Sequence, residues 1–361
     1  MLLLWISFSV LSGIACLSLY NFFTVKRLVP ATPKHTPFVS ILIPARNEEK
    51  NIQHCIENVL KQDYPHYEVL VMDDNSEDTT WNILHKYKDT KLHIFKGKAL
   101  PKGWTGKNWA CQQLQEKAKG NIFLFIDADV LLAPQALSSA IALYEKENVQ
   151  MLSCFPQQKL QSMGEWLIIP LIDFFTLSLI PFDQVRKTKT PNISLAIGQF
   201  ILIDKKAYQK IGTHASVAEM NTEDVEIARN MKAAGCSISV VRSLGLVKCR
   251  MYQDLGTSIQ GLSRSFYRGA HMHPLIYMLA LIAYVTFFIL PLLLALSHTI
   301  YLIVILPLLI MRITTSLLAK QNLFLGLILF PLHLCVTVLI ALNSLYMTLT
   351  HQLIWKGRVL K

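Results

Sequence analysis

Ile122-Phe123-Leu124-Phe125-Ile126-Asp127-Ala128-Asp129-Val130 is an apolar run of β-branched and aromatic side chains that breaks off in two carboxylates two positions apart. The run reads as a buried strand, and acid at the carboxyl end of such a strand marks the place where ligands bind in open α/β sheets. In an extended segment Asp127 and Asp129 project to one side, where two uncompensated negative charges repel. A hard divalent cation, Mg²⁺ or Mn²⁺, relieves that repulsion. Such an ion takes oxygen ligands, retains water and shares its remaining shell with substrate phosphates. Asp127 and Asp129 are therefore the candidate metal ligands, and a diphosphate is the implied substrate group. A plain Asp-rich turn is the competing explanation, and the flanking sequence separates the two.

Upstream, residues 38–43 read as a strand closed by Pro44 and followed by Ala45-Arg46-Asn47-Glu48-Glu49, after which Ile52, Ile56, Val59 and Leu60 recur at helical spacing. A second unit repeats the plan: residues 68–72 form a strand that ends in Asp73-Asp74-Asn75-Ser76, and Asp78 and Thr79 open a helix. A short strand at 92–95 and a helix at 107–119 lead into the acid-terminated strand. This alternation predicts an α/β fold with a mostly parallel sheet and helices on both faces. All three polar clusters fall at strand carboxyl ends, which favours a site over a turn. No Gly-x-Gly-x-x-Gly follows the first strand, and Gly103-Trp104-Thr105-Gly106-Lys107-Asn108 lacks the spacing of a phosphate-binding P-loop. Ordinary dinucleotide enzymes and P-loop nucleotidases are thereby disfavoured.

The chain has 361 residues, 52% of them hydrophobic, and a mean hydropathy of +0.36; the apolar excess lies at the two ends. Residues 1–24 are uncharged and long enough to cross a bilayer. Without a basic leader or a small-residue cleavage site they read as a retained anchor. Lys26 and Arg27 then place the domain at 38–272 on the cytoplasmic side. Within it, residues 164–182 are apolar but interrupted by Pro170, Asp173 and Pro181. A span there would put Asp129 and Asp224 on opposite sides of the membrane, so an interfacial helix able to meet a lipid is expected, with a buried core helix as the alternative. A transmembrane region follows at 274–350, with candidate spans at 275–296, 299–318 and 323–346, then a basic tail at 351–361. Three spans would leave Lys356, Arg358 and Lys361 outside, against the charge rule. That rule favours a re-entrant or interfacial course for one segment, the last, around Pro331, being the candidate. The expected protein is thus a multi-pass protein of the cell membrane. The net charge of +11 suits an anionic leaflet; no nucleic-acid recognition motif is present, so no such partner is expected. The seven cysteines lack Cys-x-x-Cys spacing and suggest neither a zinc site nor a disulfide framework.

Four motifs in order, residues 39–49, Asp73-Asp74-Asn75-Ser76-Glu77-Asp78, Asp127-Ala128-Asp129 and Thr222-Glu223-Asp224, resemble family 2 glycosyltransferases of the GT-A fold. The resemblance covers residues 38–270 and implies a nucleotide-sugar donor and an inverting displacement. Trp104-Thr105-Gly106-Lys107-Asn108-Trp109-Ala110, Arg250-Met251-Tyr252-Gln253 and Trp355-Lys356-Gly357-Arg358 resemble the membrane-bound branch that glycosylates carotenoid acids such as 4,4′-diaponeurosporenoate. The first of these is also similar to a stretch of hopanoid-associated and ceramide-type transferases.

By that resemblance Pro44, Ala45, Arg46, Asn47, Glu48 and Asp74 hold the nucleotide, Lys107 lies near the diphosphate, and Asp127 faces the donor as well as the metal. A lysine there offsets charge on the leaving group. Asp224 resembles the general base that deprotonates the acceptor. Its neighbour Glu223 reads as an acid favoured by the helix dipole. Gln260-Gly261-Leu262-Ser263-Arg264 takes the place of the Gln-x-x-Arg-Trp signature of processive synthases, but its spacing is longer by one, which argues against processivity. Arg264 remains a donor-binding candidate, Arg268 a phosphate or headgroup contact, and His271 and His273 candidate metal ligands. The expected enzyme moves one sugar, from UDP-glucose, to a membrane lipid such as a carotenoid, with the bilayer as its second partner. The alternatives are a polyprenyl-phosphate or hopanoid and glycolipid sugar transferase and, from another class, a non-catalytic membrane subunit that binds a sugar nucleotide. Asp127, Asp129 and Asp224 speak against the last, since a sensor has no use for a base.

Overall fold

The β-branched and aromatic runs of the sequence become strands buried on both faces, as the near absence of polar alternation in them requires. The structure is a computed structural model and describes residues 1–270, 272–350, 352, 354–356, 358 and 359. The chain divides into two compact units, one comprising Lys26–Lys159 and Asp183–Arg250, the other Met1–Val25, Leu160–Phe182 and Met251–Lys361. Residues 160–182 and 251–270 thus cluster with the helices of the second unit.

The first unit is built on strands β1 (Arg27–Leu28), β2 (Val39–Ala45), β3 (Tyr67–Asp73), β4 (Leu92–Lys96), β5 (Ile122–Ile126), β6 (Val130–Leu132), β7 (Met151–Phe155), β8 (Gln157–Gln158), β9 (Phe200–Asp204), β10 (Ile238–Ser243) and β11 (Val247–Cys249). Among the described residues, eight form one sheet in the order β1-β10-β7-β9-β5-β2-β3-β4. The chain lays down β2, β3 and β4 in one direction, then returns to place β5 on the other side of β2. That reversal opens a crevice at the carboxyl ends of β2 and β5, where ligands bind in such sheets. The sheet is parallel except for β9, which runs antiparallel to both β5 and β7. A smaller sheet pairs β11 with β6 and β8.

One local expectation is corrected. The strand does not extend through Asp129: β5 ends at Ile126, and the Val130 N–H donates to the Asp127 carbonyl at 3.1 Å, closing a turn that carries both carboxylates into β6. Antiparallel β6 must leave β5 at once to reach β11, so the acids sit in a bend and not on a pleat.

Among the described residues of the second unit, four helices are long and apolar enough to cross a membrane: Leu2–Thr24, Pro274–Leu294, Thr299–Leu318 and Phe330–Leu349. The expected third C-terminal segment is divided before Pro331, with a short helix Leu323–Ile328 preceding Phe330–Leu349, because proline is tolerated in the first turn of a helix and not in its middle. Residues 164–182 form Met163–Ile168 and Pro170–Leu179. The first begins at a capping box in which Ser162 and the buried Glu165 exchange hydrogen bonds. Ile168 and Leu171 pack on Leu262, Val336 and Ile340, and Phe174 joins a core with Leu4, Leu11 and Leu308.

Candidate active site

The loops that follow β2 and β3 are laced together. Arg46 is buried, and its Nη1 donates to the carbonyls of Asp74 at 2.8 Å and Asn75 at 2.5 Å, while Nη2 meets Glu77 Oε1 at 2.7 Å. Asn47 and Asn75 adopt the left-handed backbone that asparagine tolerates. The Asn47 N–H donates to Ser76 Oγ at 3.0 Å, and the Glu77 N–H returns a bond of 2.8 Å to Asn47 Oδ1. Glu48 N–H donates to Thr80 Oγ1. Arg46 therefore braces the loop carrying Asp74, Pro44 and Ala45 close the strand beneath it, and Asp73 and Asp74 are both buried.

Lys107 stands in the first turn of helix Gly106–Lys117, whose N-terminus is capped by Thr105 Oγ1. Its Nζ lies 2.7 Å from Asp127 Oδ1 and 3.0 Å from Glu223 Oε1, joining the turn after β5 to the start of helix Glu223–Ala233. Burial disfavours the charge, but Asp127 and then Glu223 outweigh it and push the ammonium well above its ordinary value. The next residue, Asn108, is wholly buried; its Nδ2 donates to the carbonyls of Val217, Ala218 and Met220 at 2.7, 3.2 and 2.9 Å. Lys107 and Asn108 thus anchor one helix to the metal-candidate turn and to the loop that delivers Asp224.

Asp224 accepts hydrogen bonds from the Gly198 N–H to Oδ2 and from the Val225 N–H to Oδ1, each 2.8 Å. Burial, then the neighbouring Glu223, raises its pKa to about 7 against an ordinary 3.8, while Lys107 and the two backbone donors pull the other way. Gly198 fits because it has no side chain: a Cβ built there lies 2.8 Å from Lys107 Nζ, 3.3 Å from Glu223 Oε1 and 3.6 Å from Asp224 Oδ2. Behind this cluster His214 and Tyr208 hydrogen-bond to each other, and burial, then Lys107, lowers the imidazole to about 3, so it stays neutral.

Residues 40–212 match the sequence profile of Glycosyl transferase family 2. That stretch reads as a family 2 glycosyltransferase domain. Among curated proteins, the 4,4′-diaponeurosporenoate glycosyltransferase of Staphylococcus aureus strain USA300 is 28% identical over 227 residues, covering 62% of this chain. The protein of that name from strain MRSA252 shows the same identity over the same length. The matched stretch spans 58% of the relatives' own length. In architecture the chain is similar to a mannosyltransferase of Pyrobaculum calidifontis solved in complex with GDP-Man and Mn²⁺, with a TM-score of 0.58, 17% identity and coverage of 96% of this chain and 99% of that one. At that identity the likeness is one of fold, the GT-A fold.

The structure brings several of the positions singled out in the sequence together and adds others beside them. Lys107, Asp127 and Asp224 converge, and Asp129 shares the Asp127 turn. Beside that turn Gln158 Nε2 donates to Gln199 Oε1 at 3.3 Å and Gln199 Nε2 to the buried Cys249 Sγ at 2.9 Å, and burial, then Asp129 and Asp127, pushes the Cys249 thiol well up. Arg264 and Arg268 lie on helix Leu255–Ala270 of the other unit, and His273 caps helix Pro274–Tyr284; His271 lies outside the described residues. Glu223, Gly198 and Asn108 escaped the sequence reading. Glu223 looked like a helix-start acid, and a lone glycine far along the chain carries no signal of what approaches it.

Proposed function

We propose that the protein is a membrane-anchored glycosyltransferase that moves one sugar from a nucleotide-sugar donor, UDP-glucose, to a lipid acceptor at the cytoplasmic leaflet, with inversion at the anomeric carbon. The observation that carries the reading is Asp224: a half-buried carboxyl fixed by two backbone donors, with a pKa raised to about 7, and adjacent in sequence to the Glu223–Lys107–Asp127 bridge. General bases work best when their pKa lies near the operating pH.

The step is a single displacement. An acceptor oxygen forms a bond to the anomeric carbon as the bond to the diphosphate breaks, the acceptor proton passes to Asp224, and the nucleoside diphosphate leaves with the bonding electrons. Lys107 supplies positive charge where negative charge grows on the leaving group. The Arg46-braced loop and Asp74 hold the nucleoside. Asp127 and Asp129 would hold a divalent cation: both are hard oxygen donors, and Asp127 already engages a cationic group. When bound, Mg²⁺ or Mn²⁺ would neutralise diphosphate charge, in line with the Mn²⁺ of the mannosyltransferase sharing the fold.

The acceptor class follows from the base. A lipid carboxylate, with a pKa near 4, is ionised at neutral pH and needs no base, whereas an alcohol does. Asp224 therefore supports a hydroxyl-bearing lipid, while the name of the S. aureus relatives supports a carotenoid carboxylate as the second reading. The apolar helices keep the enzyme where such an acceptor resides, and Lys26 and Arg27 at the end of the first favour the cytoplasmic side. Mass spectrometry of lipid extracts from cells with and without the protein tests the proposal. A species heavier by one hexose is expected; its absence with the protein expressed and folded overturns the reading.

A further inference from the structure

Glu223 is unexplained by its position in the chain. An acid in the first turn of a helix serves the dipole while facing water, yet Glu223 is only 8% exposed and its carboxylate turns to Lys107 Nζ at 3.0 Å. A Cβ at Gly198 would lie 2.8 Å from Lys107 Nζ and 3.3 Å from Glu223 Oε1, so the backbone closes directly over the Lys107–Glu223 pair.

An ammonium has three N–H donors in all. Asp127 and Glu223 each engage it, and one positive charge against two carboxylates leaves one negative charge over. Asp127 is the carboxylate that the divalent cation needs. Were Lys107 paired with Asp127 alone, metal entry would have to break that pair and release the ammonium into solvent. With Glu223 present, Lys107 keeps a partner when Asp127 is given up.

We propose that Glu223 is a positioning residue that retains Lys107 beside the diphosphate position while Asp127 exchanges the ammonium for a divalent cation. This rests on the glycosyltransferase reading and deepens it, because it makes Glu223 a determinant of metal and donor loading apart from the base. A charged carboxylate is required: Gln at this position keeps the length and an acceptor oxygen but not the charge, and charge-assisted contacts are about twice as strong as neutral ones.

The test uses the full chain in lipid nanodiscs. Binding of Mn²⁺ alone is followed by electron paramagnetic resonance, and binding of UDP or GDP with saturating Mn²⁺ by calorimetry. Glu223→Gln is expected to weaken Mn²⁺ binding by about tenfold, the effect of losing one favourable charge contact, and to weaken nucleotide diphosphate binding as well. The double variant Glu223→Gln with Lys107→Gln should regain Mn²⁺ binding to within about threefold of the parent, because the ammonium competing for Asp127 is gone; a merely structural loss would not be rescued. Unchanged Mn²⁺ binding in the single variant overturns the proposal, as does failure of rescue in a double variant that melts like the parent. A parent protein that binds neither nucleotide overturns the glycosyltransferase reading itself, and this proposal with it.

Discussion

Replacing Gly198 by alanine adds a single methyl group at a point where the backbone approaches three charged side chains. The residue does not have a positive φ, so alanine meets no backbone penalty, and the Gly198 N–H bond to Asp224 can persist. The new Cβ would lie 2.8 Å from Lys107 Nζ, closer than real Cβ contacts come. The atom it meets is the tip of a flexible side chain, so the lysine retreats and the fold survives. Retreat lengthens the contacts to Asp127 and Glu223, now 2.7 and 3.0 Å. A hydrogen bond to a charged group contributes about 1.5–3 kcal/mol; losing one equals about 10- to 150-fold in affinity at 1.4 kcal/mol per decade. The expected outcome is a rise of that size in half-saturating UDP, titrated in excess Mn²⁺, with the melting temperature within a few degrees of the parent. A folded Gly198→Ala protein whose nucleotide affinity stays within about twofold would refute the arrangement of Lys107 as the phosphate-facing charge.

Asp129→Asn should abolish transfer while leaving a folded protein, since it removes a proposed metal ligand and keeps a polar isostere, and excess EDTA should reproduce the loss; undiminished turnover in either case removes the metal from the mechanism. Asp224→Asn should lower kcat by at least about 10²-fold with a hydroxyl acceptor and erase an acid limb near pH 7, the value to which burial and Glu223 raise this carboxyl. The same shift has a signed effect on stability: between about pH 4 and 7 the folded state holds a proton that the unfolded state has lost, so stability falls as pH rises through that window and the Asn variant lacks the slope. A pH–rate profile with no limb near 7, or parent-like transfer to a carboxylate lipid, defeats the base assignment. Asn108→Ala should cost about 2 kcal/mol or more, because three carbonyls lose their donor; an unchanged thermal melt would show that the loop from Val217 to Met220 is held by other means.

The parallel strands and their acid-tipped ends were legible because a strand buried on both faces must be apolar throughout, so Asp73 and Asp127 stand out against their neighbours. The helix expected at 107–119 lies within about two residues of the observed Gly106–Lys117 at each end. The reversal of β9 was not legible: Phe200–Asp204 is as apolar as its parallel neighbours, and direction is set by pairing partners remote in sequence. Nor was the inward turn of Glu223. Two adjacent acids in a first helical turn look alike in sequence, and only the position of Lys107, more than a hundred residues earlier, decides which carboxylate meets it. The turn at Asp127 was missed for a different reason, since β6 leaves the main sheet to pair with β11.

The backward strand has a consequence for how the chain folds as it is made. Strand β7 takes β10 and β9 as neighbours, and both are encoded after it; β1 waits for β10 as well. While residues 156–199 are being synthesised, Met151-Leu152-Ser153-Cys154-Phe155 has neither flank covered, and β5 lacks its outer partner. Bare apolar edges of this kind recruit other chains. A ribosome that stalls or terminates in that interval releases a product whose sheet cannot close. Completion of β9 at Asp204 joins the two halves of the sheet, and in the same event brings the Gly198 amide to its position, so the site forms only when the most exposed stage of folding is over.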